Sequence, residues 1–245
     1  MTMAPLYRQY GDLNEDYGII VQSRMGSNRL PGKMLALING IPTVQWVLQR
    51  CKQAGVGKVI LATTTQKIDD PLAEIAKNLG YAVYRGSEHN VLKRYIDCAV
   101  SNKLKNVIRI CGDRPLVSPT LIADAVERHR DGDADLVFNH APLLGSTWAY
   151  GFGCEVVSTK VLKDIYLAFP TDEEKEHVTL KIWNHENDFK IRSTNEKKSY
   201  QNDIKIKLDL DTREDLGNIR GSVSGLDYYS EMDEIIENYL KRIKL

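Results

Sequence analysis

From Gly18 onward the chain alternates two kinds of apolar spacing. Short apolar runs at 19–22, 59–62, 82–84, 107–111 and 136–138 read as buried strands. Between them apolar residues recur at i, i+3, i+4 and i+7, which places them on one helix face. Val44, Val47, Leu48 and Cys51 make the first stripe, and Leu72, Ile75, Ala76 and Leu79 the second. Leu92, Tyr95, Ile96 and Ala99 follow, then Ile122, Ala125, Val126 and His129, so His129 reads as part of a packed face and not as a ligand. Asp70 is placed to cap the second helix, with Pro71 in its first position. Strands separated by single helices predict βα units around a mainly parallel sheet, and the fold class is α/β.

The alternation breaks after Phe138. Residues 145–155 hold Gly145, Gly151 and Gly153 with Trp148, Tyr150 and Phe152 among them, which suits an acceptor site or subunit contact as well as an ordinary loop. Thr171 and Glu174 form a capping box for a helix expected to run through His177 to 183. Strands are expected at 189–192 and 204–210. Ser230 opens a last helix with Met232, Ile235, Ile236, Tyr239, Leu240 and Ile243 on one face. Residues 1–17 are polar and aperiodic, so the expected division is an N-terminal extension over 1–17 and one domain over 18–245.

Among the 245 residues, Lys plus Arg and Asp plus Glu both total 33. A net charge of zero sets up no field to draw in nucleic acid or anionic lipid, so phosphate recognition must be local. No apolar run is long enough to span a bilayer, and the N-terminus lacks a charged-then-apolar leader. A cytoplasmic protein with no membrane or nucleic-acid partner is expected. Cys51, Cys98, Cys111 and Cys154 lack the clustering of a zinc site and read as reduced thiols, mostly core filler.

Candidate chemistry concentrates in the stretch after the first strand, Ser23-Arg24-Met25-Gly26-Ser27-Asn28-Arg29-Leu30-Pro31-Gly32-Lys33. Its glycines let backbone amides approach a phosphate, and its three cations balance phosphate charge. It is not a Walker A loop, since one residue too many separates Gly26 from Gly32 and Met34 follows Lys33, nor is it GxGxxG. Two acidic sites lie at later strand ends, Asp113 in Cys111-Gly112-Asp113-Arg114-Pro115, and Asp209 with Asp211 in the run from Leu208 to Leu216. Ligands of open α/β sheets gather at that strand edge. Each aspartate also has a local reading, Asp113 as a turn residue before Pro115 and Asp211 as an N-cap completed by Glu214.

The loop resembles the x-R-x-x-S-x-R-L-P-G-K motif of cytidylyltransferases that activate 3-deoxy-manno-octulosonate, and is more similar still to the SpsF-type spore-coat polysaccharide family. The resemblance implies a three-layer, Rossmann-like nucleotidyltransferase fold, GT-A-like, with a mainly parallel central sheet. It implies that the loop wraps the triphosphate of CTP, with Arg24, Met25, Gly26, Ser27, Arg29 and Lys33 as nucleotide contacts. Gly112-Asp113-Arg114-Pro115 is similar to a G-D-x-P motif whose Asp holds Mg²⁺, although Arg114 departs from the acidic residue of the octulosonate enzymes. Asp211-Thr212-Arg213-Glu214-Asp215-Leu216 is similar to D-T-P-E-D-L, whose first Asp is the partner ligand, with Arg213 replacing Pro. Asp209, two residues back on a strand and so on the same face, resembles the paired aspartates of acylneuraminate enzymes. Mg²⁺ needs only a few carboxylates when phosphate oxygens and water complete its shell.

The segment from Arg85 to Tyr95 resembles R-G-S-x-x-x-V-L-x-R-Y, which implies nucleotide contacts from Arg85 and Ser87; a strand-to-helix connection with an N-cap accounts for it equally. Glu176-His177-Val178-Thr179 matches an E-H-V-T motif of the SpsF-type family. With Glu155 of an E-V pair, it implies an acceptor side made by Glu155, His177 and Lys181; the last two share a helix face suited to an anionic acceptor or to the leaving pyrophosphate, and a surface histidine accounts for His177 equally.

The expected reaction is attack by an acceptor oxygen on the α-phosphorus of CTP with release of pyrophosphate. Mg²⁺ is the expected cofactor, Arg24, Lys33, Asp113 and Asp211 the catalytic set, and a small sugar, sugar acid or phospho-metabolite the acceptor. Relatives of this kind imply a homodimer. Two other readings stand beside it. A GT-A-type glycosyltransferase would use Asp209-Leu210-Asp211 as its D-x-D, against which the late position of that string counts. A non-catalytic nucleotide-binding subunit is disfavoured by the presence of Arg24, Lys33 and Asp113.

Overall fold

The computed structural model describes residues 15–139, 149–194 and 206–243. Most of the expected extension, Gly145 and Trp148 of the glycine and aromatic segment, and the start of the strand expected at 204–210 lie outside the described residues. The first apolar run is strand β1 (Tyr17–Gln22), which begins earlier than its β-branched residues suggest. Tyr17 is buried and its hydroxyl bonds His129 Nδ1 at 2.9 Å, so the boundary drawn at 17 falls inside the sheet.

After the loop comes a small hairpin of β2 (Leu37–Ile38) and β3 (Ile41–Pro42). Asn39 and Gly40 turn it with φ of 48° and 78°, the left-handed pair of a type I′ turn. The βα units follow as α1 (Thr43–Gln53), β4 (Lys58–Thr64), α2 (Asp70–Asn78), β5 (Ala82–Gly86), α3 (Val91–Ser101), β6 (Asn106–Cys111), α4 (Pro119–Arg130) and β7 (Leu136–Phe138). Then come β8 (Glu155–Ser158), α5 (Thr159–Leu167), α6 (Asp172–Glu176), α7 (Leu180–Asn184), β9 (Ile191–Ser193), α8 (Arg213–Ser222) and α9 (Met232–Ile243).

The described strands form a seven-stranded sheet in the order β5-β4-β1-β6-β8-β7-β9. Its pairings are parallel except for β8, which runs against both β6 and β7. Alternation along β1 sets the layers: Ile19 and Val21 pack with Val44, Val47, Leu72 and Val126, while Ile20 packs with Leu92, Tyr95 and Leu162 on the other face. Each such side chain, fully buried, contributes about 1.5–3 kcal/mol. A third apolar group joins Ile38 and Trp46 to Leu208, Leu210, Ile219 and Ile235, seating α8 and α9 against the hairpin. Among the described residues no helix is long and apolar enough to cross a membrane.

Four local expectations change. Asp69, not Asp70, is the N-cap of α2, and no side chain bonds the helix start there: the Asp69 carboxylate is taken by Thr63, Thr64 and Met25, and Asp70 pairs with Arg85 at 2.6 Å. The capping box of Thr171 and Glu174 forms, but the helix it opens divides into α6 and α7, with His177 at φ −103° and ψ 84° between them. Just past the break the Thr179 hydroxyl donates to the buried Glu155 at 2.8 Å. The stretch 206–210 joins no ladder beyond a single bridge between Tyr150 and Lys207. The last helix begins at Met232, after a turn in which the Ser230 hydroxyl accepts from the Asp227 N–H at 3.2 Å.

Candidate active site

Gln22 and Cys111 stand in register at the carboxyl ends of β1 and β6, level with Ala62 near the end of β4. Beyond that edge lies a cavity of about 450 Å³. Gly112 brings the chain from β6 close under the first loop. Its N–H donates to the Gln22 carbonyl at 2.7 Å, and a Cβ there would stand 2.9 Å from the same oxygen, closer than side chains come. The loop itself is held at both ends. The Ser23 N–H continues the sheet to the Ala62 carbonyl at 3.2 Å, and Gly32 takes a φ of 72° before a tight turn over Lys33–Leu35.

Arg24, Gly26, Ser27, Arg29 and Lys33 line the cavity, with Asp113 from the end of β6 and Glu176 and His177 from the end of α6. Each loop cation holds a carboxylate. Arg24 pairs with Glu176 at 3.0 Å and Arg29 with Asp211 at 2.9 Å. Lys33 Nζ lies 3.1 Å from Asp113 and 3.2 Å from Asp211, and donates to the Leu210 carbonyl at 2.8 Å. The Lys33 side chain is 12% exposed against 68% for Arg29, so the lysine pairs feel far less solvent screening.

Asp211 is available because Thr212 and Asp215, not Asp211 and Glu214, form the capping box of α8. Asp113 and Asp211 therefore face one cationic centre from two distant segments. Among the described residues no three carboxylates, imidazoles or thiols form a metal cage. Two hard oxygen donors beside a cationic loop nevertheless fit Mg²⁺, which can take the rest of its shell from phosphate oxygens and water. Asp209 is not brought to this pair. Its neighbour is Lys207 at 3.1 Å, which also holds Asp215 at 3.0 Å, so the D-x-D string splits between two environments.

Several expected contacts are placed elsewhere. The Met25 N–H donates to Asp69 at 2.7 Å, so that amide is already used. Arg85 donates to the Thr64 and Gln66 carbonyls at 2.7 and 2.8 Å, besides its pair with Asp70. The Ser87 hydroxyl accepts from the Asn90 N–H at 3.0 Å, and neither Arg85 nor Ser87 lines the cavity. Glu155 is 1% exposed inside β8, where it accepts from Arg109 at 2.7 Å, Thr179 at 2.8 Å and Trp183 at 3.2 Å. Burial draws the Arg109 pKa down, but Cys111 and Glu155 outweigh it and hold it above the ordinary value. Lys181 donates to the Ala168 carbonyl at 3.3 Å and lies 3.8 Å from Glu174; the break at His177 removes the shared helix face. Of the three expected acceptor residues, His177 lines the cavity.

Glu176 and Asp69 were missed. Glu176 stood in the same motif as His177, where an acid beside an expected anion site drew no attention. Asp69 carries no motif, and a Thr-Thr strand end five residues upstream was its only local signal. Cys111 also reaches the cavity, whereas Cys51, Cys98 and Cys154 are buried, and burial pushes the Cys98 thiol up to about 12.

A sequence model of the family described as "Cytidylyltransferase" matches residues 18–241. The chain belongs to the cytidylyltransferase family. It is a CTP-dependent nucleotidyltransferase. This cytidylyltransferase is similar to the spore coat polysaccharide biosynthesis protein SpsF of Bacillus subtilis (strain 168), 31% identical over 212 residues covering 84% of this chain and 85% of that one. Among solved structures it is similar to a cytidylyltransferase from Leptospira borgpetersenii serovar Hardjo-bovis (strain JB197), with a TM-score of 0.84 and 28% identity over 94% of this chain and 95% of that one. CMP:2-keto-3-deoxy-manno-octonic acid synthetase complexed with CTP shares the fold at a TM-score of 0.64 and 18% identity, covering 86% of this chain and 99% of that one.

Proposed function

We propose that this cytidylyltransferase moves CMP from CTP to a small sugar, sugar-acid or phospho-metabolite acceptor, using Mg²⁺ and releasing pyrophosphate. The observation that carries the reading is the meeting of Lys33 with Asp113 and Asp211 at the cavity where Arg24 and Arg29 also stand. The name of the Bacillus subtilis relative, a spore coat polysaccharide biosynthesis protein, supports a saccharide-derived acceptor.

In this reading the triphosphate replaces the carboxylates now paired with Arg24, Arg29 and Lys33. Asp113 and Asp211, relieved of the lysine, would hold Mg²⁺, which supplies Lewis-acid polarisation of the α-phosphate. Arg24 and Lys33 balance the charge that develops on the departing pyrophosphate, and the loop fixes the in-line geometry. His177 stands on the acceptor side. No general base is assigned.

A pyrophosphate-release screen crossing four nucleoside triphosphates with sugars, sugar acids and phosphorylated metabolites tests the proposal. Release that requires CTP, Mg²⁺ and an acceptor supports it. Nucleoside diphosphate release from a nucleotide sugar would favour a glycosyltransferase, and Mg²⁺-dependent CTP binding without turnover a binding subunit.

A further inference from the structure

Asp69 is 1% exposed and sits at the N-cap of α2, yet its carboxylate bonds no amide of that helix. One oxygen, Oδ2, accepts from the Thr63 hydroxyl at 3.0 Å, the Thr64 N–H at 3.1 Å and the Thr64 hydroxyl at 2.5 Å. The other, Oδ1, accepts from the Met25 N–H at 2.7 Å. A buried carboxylate is costly unless its oxygens are met by donors, and here both are.

We propose that Asp69 is a positioning residue that sets the phosphate-facing shape of the 23–33 loop through the Met25 amide. The inference rests on the reading that this loop binds the triphosphate of CTP. Its strand-side oxygen fastens the carboxylate to the end of β4, next to β1 in the sheet. The remaining oxygen reaches a residue 44 positions back in the chain. Met25 lies between Arg24 and Gly26, both of which line the cavity, while its own side chain packs on the core. The bond therefore fixes the orientation of the Arg24–Met25 peptide, between the two cavity-lining residues Arg24 and Gly26, while the Met25 carbonyl on the other side accepts from the Ser27 N–H at 2.9 Å. A hydrogen bond to an ionised group is roughly twice as strong as a neutral one, which suits a contact that must hold an exposed loop to one shape.

The test compares wild type, Asp69→Ala, Asp69→Asn and Thr63→Val. Thr63→Val removes a strand-side bond of the same carboxylate and leaves the Met25 bond in place. Three readouts are taken: calorimetric affinity for CTP with Mg²⁺, amide hydrogen exchange at Met25, and the melting temperature. Asp69→Ala is expected to weaken CTP binding about tenfold, the loss of one charge-assisted bond, and to speed exchange at Met25. Asp69→Asn falls between it and wild type. Thr63→Val melts lower but keeps its CTP affinity within about twofold. In turnover, KM for CTP rises more than kcat falls. If Asp69→Ala does not fold, Asp69→Asn carries the same comparison. The inference is overturned if the Asp69 variants melt lower with unchanged CTP affinity, or if Thr63→Val loses affinity as they do. A wild type that binds no CTP sinks the parent reading of the loop instead; slower Met25 exchange in wild type than in the Asp69 variants would still separate the two failures.

Discussion

Lys33 and Asp211 are 178 residues apart in the chain and 3.2 Å apart in the fold. The order β4-β1-β6 brings the loop after β1 beside the end of β6, and the Leu210 N–H bonds the Asp113 carbonyl at 2.7 Å, drawing the later acidic segment to the same place. Lys33→Ala should slow CTP-dependent pyrophosphate release by about 10²–10³-fold, the usual cost of removing one preorganised charge from a transition-state site. The circular dichroism spectrum should stay that of wild type. Unchanged turnover would remove Lys33 from the chemistry.

The two aspartates of the 209–211 string should behave differently. Asp211→Ala is expected to abolish the Mg²⁺-dependent part of both CTP binding and turnover. Asp209→Ala, whose carboxylate faces Lys207, should leave the Mg²⁺ titration midpoint within about twofold. Equal losses from both variants would restore a paired-aspartate site and contradict the separation seen here.

Glu155→Ala addresses stability in place of acceptor binding. It leaves the Arg109 guanidinium buried without its carboxylate and takes the acceptor from Thr179 and Trp183. Breaking such a buried pair costs about 3–5 kcal/mol, read as a lower urea midpoint. A variant as stable as wild type but with a raised KM for acceptor would return Glu155 to the acceptor site.

What the chain's own pattern reveals, and what it hides, follows one physical division. The strand runs and helix stripes were legible because burial of a face imposes a period on neighbouring residues. The phosphate-type loop was legible because its glycines and cations are contiguous. Asn39-Gly40 carried an equally local hairpin signal that went unread. The misplacements of Asp70 and Thr179 have another origin: Asp70 pairs with Arg85 and Thr179 with Glu155, partners that the local spacing does not contain, whereas Asp209 pairs with Lys207 only two residues away. A charged residue beside a motif does not disclose which way it faces.

His129 gives the fold a pH dependence of known sign. Its imidazole is buried against the Tyr17 hydroxyl, and burial holds its pKa below the ordinary histidine value, with Asp135 opposing weakly. The unfolded chain takes up a proton near pH 6.5, where the folded chain does not, so unfolding binds protons below that pH. This contribution is complete above pH 6.5 and is lost as pH falls toward the depressed folded value. Urea midpoints should therefore drop more steeply from pH 7 to 5 in wild type than in His129→Gln. Parallel curves would show that His129 does not titrate with unfolding.

Arg24 and Glu176 form an exposed pair at 3.0 Å, with side chains 35% and 53% accessible. An exposed pair of this kind is weak, yet it competes directly with any phosphate that Arg24 must bind. Glu176→Gln keeps the shape and removes the competing charge, so CTP should bind a few-fold tighter at low salt. The gain should shrink as salt screens the charge that Glu176 contributes. Calorimetric titrations of both proteins at two ionic strengths provide the comparison. Weaker CTP binding in Glu176→Gln would mean that the carboxylate holds Arg24 in its binding pose, because losing a mere competitor cannot lower affinity.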